Sequence, residues 1–440
     1  MNEFINLPES VAFILKKLHE KGFEVYLVGG CIRNILNGTM PKDYDFTTNA
    51  SPEDIIDVFS GYKTVVTGMR FGTVTVVING EPYEITTYRV DGEYNDNRRP
   101  EGVAFTKSLN EDLKRRDFTV NAIAYNPDEG IIDLFNGIDD LKNGIIRAIG
   151  DPDKRFNEDG LRILRGLRFA SQYNMKIETR TAEAIHNNRE LLKNISAERI
   201  AEELNKLICG NCENILREFY DVFAVFIPEL EKCVGFEQHT KYHNRDVFEH
   251  IIATVSAIKP EKHLRLAMLF HDIGKPDYFT MTDGIGHFKG HAKGSREIAE
   301  RFLTEFKYDR LTAERVTTLV KYHDIVLENQ DNLIKRYLNK FGEEMFFDII
   351  DVHIADDIGK APEYRNRIEL YNEIKKRTKE IIHDDECFSV KRLEINGKDL
   401  IALGYKGAEI GQELNRLLDM VIEDSSLNKR EILIESAKRR

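Results

Sequence analysis

The chain has 440 residues, 41% of them hydrophobic, five cysteines and a formal net charge of −12; the length exceeds one ordinary domain and implies roughly two to four. The acidic balance argues against bulk attraction to nucleic acid, so any RNA contact must use local basic patches, and no run of about 20 apolar residues is present to span a membrane. The opening MNEFINLPES lacks the basic and apolar regions of a secretory signal, and an odd number of cysteines does not suit a disulfide framework, so a reducing cytoplasm is the expected compartment.

Helical periodicity in VAFILKKLHE gives way to a short apolar strand, EVYLVGG, and then to a helix expected to open at CIRNIL. DYDFTT, TVTVVI and YEITTYR alternate or carry β-branched residues as strands do, and Asn79–Gly80 between two of them reads as a hairpin turn. From about residue 155 strand signals fade. LRILRGLRFA, ERIAEELNKLI and the stretches beyond read as amphipathic helices. The fold class is therefore α+β, a small mixed-sheet head followed by a long helical body. Of the 12 histidines, nine fall between His239 and His353, which marks a separate chemical module. Beyond about residue 365 charged helices resume, with Asn396–Gly397, Gly404, Gly407 and Gly411 as turns and helix ends. The division expected is 1–145 (head), 146–225 (helical neck), 226–365 (histidine-rich module) and 366–440 (helical tail).

Asp43 and Asp45 stand at i and i+2 in DYDFTT, so on a strand they project to one face. Two carboxylates side by side repel unless a cation joins them. Mg²⁺ takes one or two carboxylates plus substrate phosphates. Glu84, on YEITTYR, is a third carboxylate able to complete a two-metal clamp for nucleotidyl transfer. Gly29 and Gly30 follow a strand and open a helix, where backbone N–H groups approach phosphate, with Arg33 one turn further on. Each feature alone has a bland reading, a solvated edge strand or an ordinary turn; the ordered set is more specific.

LVGGCIRNILNG…KDYDFTT resembles motif A of the class II tRNA nucleotidyltransferase and poly(A) polymerase family. EITTYR resembles its third-carboxylate strand, RRDFTVNAIAYNP its ribose-reading motif, NEDGLRILRGLRFA its base-reading helix and ISAERIAEEL its neck helix. One departure is Asn34, where the family usually has an aspartate. The resemblance implies catalysis by Asp43, Asp45 and Glu84 with Mg²⁺. It implies contacts from Arg115 and Arg116 to the triphosphate and from Asp117 to the ribose hydroxyls, as guanidinium and carboxylate chemistry permits. Asp159 and Arg162, three apart on a helix, share a face; an acceptor beside a donor complements the edges of cytosine and adenine and opposes those of uracil and guanine. The resemblance makes this pair a protein template, with Arg165 and Arg168 holding phosphates or orienting Asp159. Without the rest of the set, both charged stretches would read as surface turns and ion pairs.

In the histidine-rich module, His250, His271-Asp272, His291, His323 and Asp356 resemble the HD superfamily order H…HD…D with extra histidines. Imidazoles with carboxylates bind a divalent transition metal or Mg²⁺, and metal-bound water is a nucleophile at neutral pH. Lys275 is a candidate phosphate contact; His239, His243 and His287 are expected beside the ligand residues or on the surface. Cys209 and Cys212 form a lone CxxC and read as ordinary helix-end residues. The leading function is addition of C, C and A to the tRNA 3′ end, with tRNA, CTP and ATP as partners, no membrane, and no DNA expected. Poly(A) tailing, or addition of CC or A alone, stands as the alternative, although GMRFGTVTV at 68–76 resembles the tRNA enzymes' version better. An HD nucleotide phosphohydrolase with an inactive head, or a non-catalytic RNA-binding module, are alternatives of other classes.

Overall fold

The computed structural model describes residues 6–92 and 102–438. The chain forms two compact units, Met1–Pro228 and Glu229–Arg440.

The first unit opens with helix α1 (Glu9–His19), which buries Val11, Ile14, Leu15 and Leu18 at helical spacing. Strand β1 (Val25–Val28), buried throughout, leads through Gly29 into α2 (Gly30–Leu36). β2 (Asp45–Thr48) is followed by α3 (Pro52–Val58), started by a capping box between Ser51 and Asp54. β3 (Lys63–Val65), β4 (Thr73–Ile78) and β5 (Glu81–Thr87) come next. β4 alternates buried and half-buried residues, and Asn79 and Gly80 both take positive φ, 53° and 88°, as the tight hairpin to β5 requires. β6 (Arg89–Asp91) pairs with β7 (Val103–Phe105). α4 (Leu109–Lys114), β8 (Ile123–Asn126), β9 (Gly130–Asp133) and α5 (Gly137–Asn143) complete the head. The sheet order is β3-β4-β5-β2-β1-β8-β9. Every neighbouring pair is antiparallel except β2 with β5, which is parallel.

Helices then take over: α6 (Pro152–Glu158), α7 (Leu161–Tyr173), α8 (Thr179–Asn188), α9 (Ala197–Ile208), α10 (Glu213–Glu218) and α11 (Tyr220–Ala224). A minimal parallel pair, β10 (Ile145–Ile146) with β11 (Lys176–Ile177), clips the chain around α7. On α7, Gly166 lies under the Phe118 ring; a Cβ there would come within 2.9 Å of it.

The second unit holds α12 (Glu229–Cys233), α13 (Val247–Ala257), α14 (Lys262–Phe270), the hairpin β12 (Thr280–Thr282) and β13 (Ile285–His287), and α15 (His291–Glu305). It continues with α16 (Arg310–Tyr322), α17 (Asp331–Phe341), α18 (Glu343–Gly359), α19 (Ile368–His383), α20 (Gly397–Ala402), α21 (Ala408–Glu423) and α22 (Arg430–Lys438). The last three enclose their own core around Leu400, Leu417, Val421 and Leu433. The short pairs β10–β11 and β12–β13 escaped the sequence reading because two or three residues carry no periodicity. Gly404 and Gly407 take positive φ between α20 and α21, whereas Gly411, expected at a turn or helix end, lies within α21. None of the five cysteines is in a disulfide; Cys209 closes α9 and Cys212 precedes α10. Among the described residues no helix is long and apolar enough to cross a membrane.

Candidate active site and candidate metal centre

In the head, the β1 strand ends at Gly29, which takes φ 80° as it turns into α2. A Cβ on Gly29 would touch the Arg116 guanidinium at an ordinary 3.4 Å, so it is the left-handed backbone that favours glycine here. Gly30 begins the helix. Next to this turn the parallel β2–β5 register sets Asp45 directly opposite Glu84. Asp43 does not share the strand with Asp45, as the i, i+2 spacing suggested, because the ladder begins only at Asp45 and Asp43 lies in the coil before it. The carboxylates nonetheless sense each other. Desolvation pushes Asp45 up to about 6; Arg116 opposes this, and Asp43 and Glu84 reinforce it. All three acids keep solvent access. They sit in a more open array than the ligand clusters of the second unit, which suits a hard cation that draws further oxygens from phosphate and water.

Asp112, fully buried on α4, organises the basic side of this site. It accepts from Arg115 Nη2 at 2.7 Å and Nε at 2.9 Å, from Arg116 Nη2 at 3.3 Å and from Thr47 Oγ1 of β2 at 3.0 Å. Against burial, the two guanidiniums hold its carboxyl below the usual range. The sequence reading missed Asp112, although its position three and four residues before the arginines on a helix is a readable signal. Asp117 accepts from the Phe118 N–H and Asn121 Nδ2 on one oxygen, and from Arg165 Nε and Nη2, at 2.9 and 2.6 Å, on the other. Arg33, expected to face phosphate, is buried instead. It donates to Asn121 Oδ1 and to Tyr173 Oη, and stacks against Phe169 and Tyr173. Asn34 Oδ1 accepts from Tyr173 Oη at 3.3 Å.

The helix-face picture of Asp159 and Arg162 needs correction. Asp159 is not helical: its own extended backbone separates α6 from α7, Gly160 after it is already helical, and its side chain accepts from the Leu161 N–H at the start of α7. Its other oxygen meets Arg199 of α9 at 3.3 Å. Arg162 is buried, donating to Glu158 at 2.7 Å and to the carbonyls of Arg155 and Arg115. Arg165 and Arg168 do not orient Asp159 directly. Arg165 pairs with Asp117, and Arg168 donates to Glu203 at 2.5 Å while stacking on Phe169. Glu158, Arg199 and Glu203 were not singled out from sequence.

In the second unit five side chains, His250, His271, His291, His323 and Asp356, converge on a sixth, Asp272. One ligand group comprises His250, His271, Asp272 and Asp356, and the other Asp272, His291 and His323; within each, all ligand atoms lie within 4.8 Å of one another. His250 Nε2 and His271 Nε2 each stand 3.2 Å from Asp272 Oδ2, while His291 Nε2 stands 3.1 Å and His323 Nε2 3.4 Å from Oδ1. The Nδ1–H groups of His271, His291 and His323 face the carbonyls of Met268, Phe288 and Val320 at 2.7–2.8 Å, which turns each Nε2 lone pair inward. Burial disfavours a charged His271, yet Asp272 and Asp356 outweigh it and push its pKa up to about 9, so the pocket demands positive charge. This donor set fits a divalent metal. Lys275, expected to meet phosphate, is buried against Asp272 at 2.6 Å and Gln238 at 2.9 Å. His243 packs on His250 and is held low, to about 2, chiefly by burial; His239 and His287 lie further out, on the surface.

A mixed sheet with a glycine turn, three acids and an arginine cradle, followed by helices, is the architecture of a nucleotidyltransferase. Residues 25–147 match the family model "Poly A polymerase head domain", 174–233 "Probable RNA and SrmB- binding site of polymerase A" and 283–437 the tRNA nucleotidyltransferase domain 2 model. The CCA-adding enzyme of Ligilactobacillus salivarius (strain UCC118) is 36% identical over 439 residues, 97% of this chain and 95% of that protein. That of Lactobacillus helveticus (strain DPC 4571) is 52% identical over 197 residues, 45% of this chain and about half (49%) of that protein's length. The crystal structure of the Bacillus stearothermophilus CCA-adding enzyme in complex with CTP superimposes with a TM-score of 0.70 at 25% identity, covering 98% of this chain and 96% of that one. The chain belongs to the family of CCA-adding enzymes.

The Asp112 pairing makes a stability prediction. Asp112→Ala leaves two guanidiniums and Thr47 without their shared acceptor and should destabilise the first unit by about 3 kcal/mol, seen as a lower denaturant midpoint, with Asp112→Asn losing less. An unchanged midpoint in the alanine variant would show that both arginines re-solvate at no cost.

Proposed function

We propose that this chain adds C, C and A to the 3′ end of tRNA from CTP and ATP. The observation that carries the reading is the β2–β5 register that sets Asp45 opposite Glu84 beside Gly29 and Arg116; the full-length likeness to the L. salivarius CCA-adding enzyme supplies the substrate class. In this reading residues 1–145 are the catalytic head, 146–225 the base-reading and RNA-binding neck, 226–365 an HD module and 366–440 a helical tail. Asp43 and Asp45, with Glu84, would hold Mg²⁺, which when bound would activate the attacking 3′-hydroxyl and stabilise the leaving pyrophosphate. Arg115 and Arg116, fixed by Asp112, take the triphosphate. Asp117 accepts from the ribose hydroxyls, with Gly29 and Gly30 giving close backbone approach. Asp159 and Arg162 match the base edge, exchanging their present partners Arg199 and Glu158 for the incoming base, with Arg165 and Arg168 supporting the same face. Arg33 contributes from behind, by fixing α2 to α7.

Asp43→Ala or Asp45→Ala should reduce incorporation of CTP and ATP on tRNA lacking its end to background while tRNA binding persists; near-normal rates in either variant refute the site. Base selection makes a separate claim. Asp159→Ala removes the acceptor for the exocyclic amino group, so preference for CTP over UTP should fall about 5- to 150-fold in single-turnover incorporation, the equivalent of about 1–3 kcal/mol. An ion pair with no part in base reading would leave that preference intact.

A second reading concerns the second unit, and the convergence of five ligand-type side chains on Asp272 favours it. We infer a metal-dependent HD phosphohydrolase centre held by His250, His271, Asp272, His291, His323 and Asp356. His271→Ala combined with Asp272→Ala should strip divalent metal from the purified protein, as measured by elemental analysis, and leave CCA addition largely intact. Equal metal content in the parent and the double variant rules this centre out.

A further inference from the structure

Asn121, buried in the turn Thr119–Asn121 between α4 and β8, has an amide that faces two charged groups of opposite sign. Its Oδ1 accepts from Arg33 Nη1 and its Nδ2 donates to Asp117 Oδ1 at 3.0 Å. A flipped amide would set N–H against guanidinium and oxygen against carboxylate, so only one orientation satisfies both neighbours. Arg33 cannot move to relieve a flip, because its guanidinium lies 4.8 Å from the Phe169 ring centre and 4.4 Å from that of Tyr173, and donates to Tyr173 Oη at 2.7 Å.

The consequence falls on Asp117. A carboxylate has about four acceptor positions and rotates easily about its last bond. Here Oδ1 takes the Phe118 N–H at 2.9 Å and Asn121 Nδ2, both buried neutral donors of the head. Oδ2 takes Arg165, whose side chain is 35% exposed. The two oxygens are therefore distinct: one is held by neutral donors of the head, and the other by the partly exposed guanidinium of Arg165.

We propose that Asn121 is a positioning residue that holds Oδ1 of Asp117, so that the Arg165-facing oxygen is the one presented to the sugar in exchange for Arg165, and thereby sets the preference for ribonucleotides over 2′-deoxyribonucleotides. The inference rests on the reading of Asp117 as the ribose acceptor. Asn121→Ala removes the anchor; Asn121→Asp, nearly the same shape, keeps the acceptor for Arg33 but replaces the donor to Asp117 with a second carboxylate.

The test is single-turnover incorporation of CTP, dCTP and UTP by the full chain on one tRNA lacking its end. The CTP-to-dCTP ratio should fall about tenfold in both Asn121 variants and in Asp117→Ala, while the CTP-to-UTP ratio of the Asn121 variants stays at the parental value. If Asn121→Ala does not fold, Asn121→Asp carries the comparison. A dCTP ratio that falls only in Asp117→Ala overturns the role of Asn121. A ratio unchanged in Asp117→Ala as well overturns the ribose assignment on which it rests. A joint fall of both ratios in the Asn121 variants shows general loosening and also overturns the proposal.

Discussion

One buried negative charge, on Asp112, holds the head's chemistry in register. Taking a carboxylate out of water is costly unless its lone pairs are filled by charged donors. Asp112 meets this condition with Arg115, Arg116 and the hydroxyl of Thr47. Thr47 lies two residues beyond Asp45 on β2, and Arg116 reaches both Gly29 and the field around Asp45. The acids and the guanidiniums thus share one buried reference point, and neither set can shift without disturbing it. A helix of six residues, α4, would be marginal alone; its burial of Asp112 and Leu113 gives it a place in the head.

The second unit reaches a charged pocket by another route. Its histidines are set by their own backbone: each of His271, His291 and His323 has its Nδ1 directed at the carbonyl three residues earlier, at a helix end or helix start. Ring orientation therefore follows from local helix geometry, and the convergence on Asp272 follows from how α13, α14, α15, α16 and α18 pack. The two units organise ligand atoms with different devices, ion pairing in one and tautomer control in the other.

What the sequence made legible was whatever depends on short spacing. Asn79–Gly80 and the α7 and α9 periodicities were readable in this way, because turn chemistry and helix faces are local; the six ligand-type residues of the second unit, spread from 250 to 356, were legible only as an ordered set resembling the HD pattern. The misreadings came from partners distant in sequence or from single breaks. Arg33 reads as a phosphate contact until α7, some 140 positions away in separation to Tyr173, supplies the rings that bury it. Asp159 and Arg162 read as one helix face until Gly160 is seen to start a new helix. The Asp45–Glu84 pairing needed a parallel crossover that no local pattern reveals, and Asn121 looks like any polar turn residue until both its neighbours are known.

Gly166 bears on how α7 can move against the head. The Phe118 ring occupies the space where any other residue of α7 would place its side chain, and Phe118 directly follows Asp117. A one-residue slide of α7 would drive Arg165 or Leu167 into that ring. Sliding of α7 along the head is therefore opposed by this contact, so a change of fit at the helix is more cheaply made by turning individual side chains.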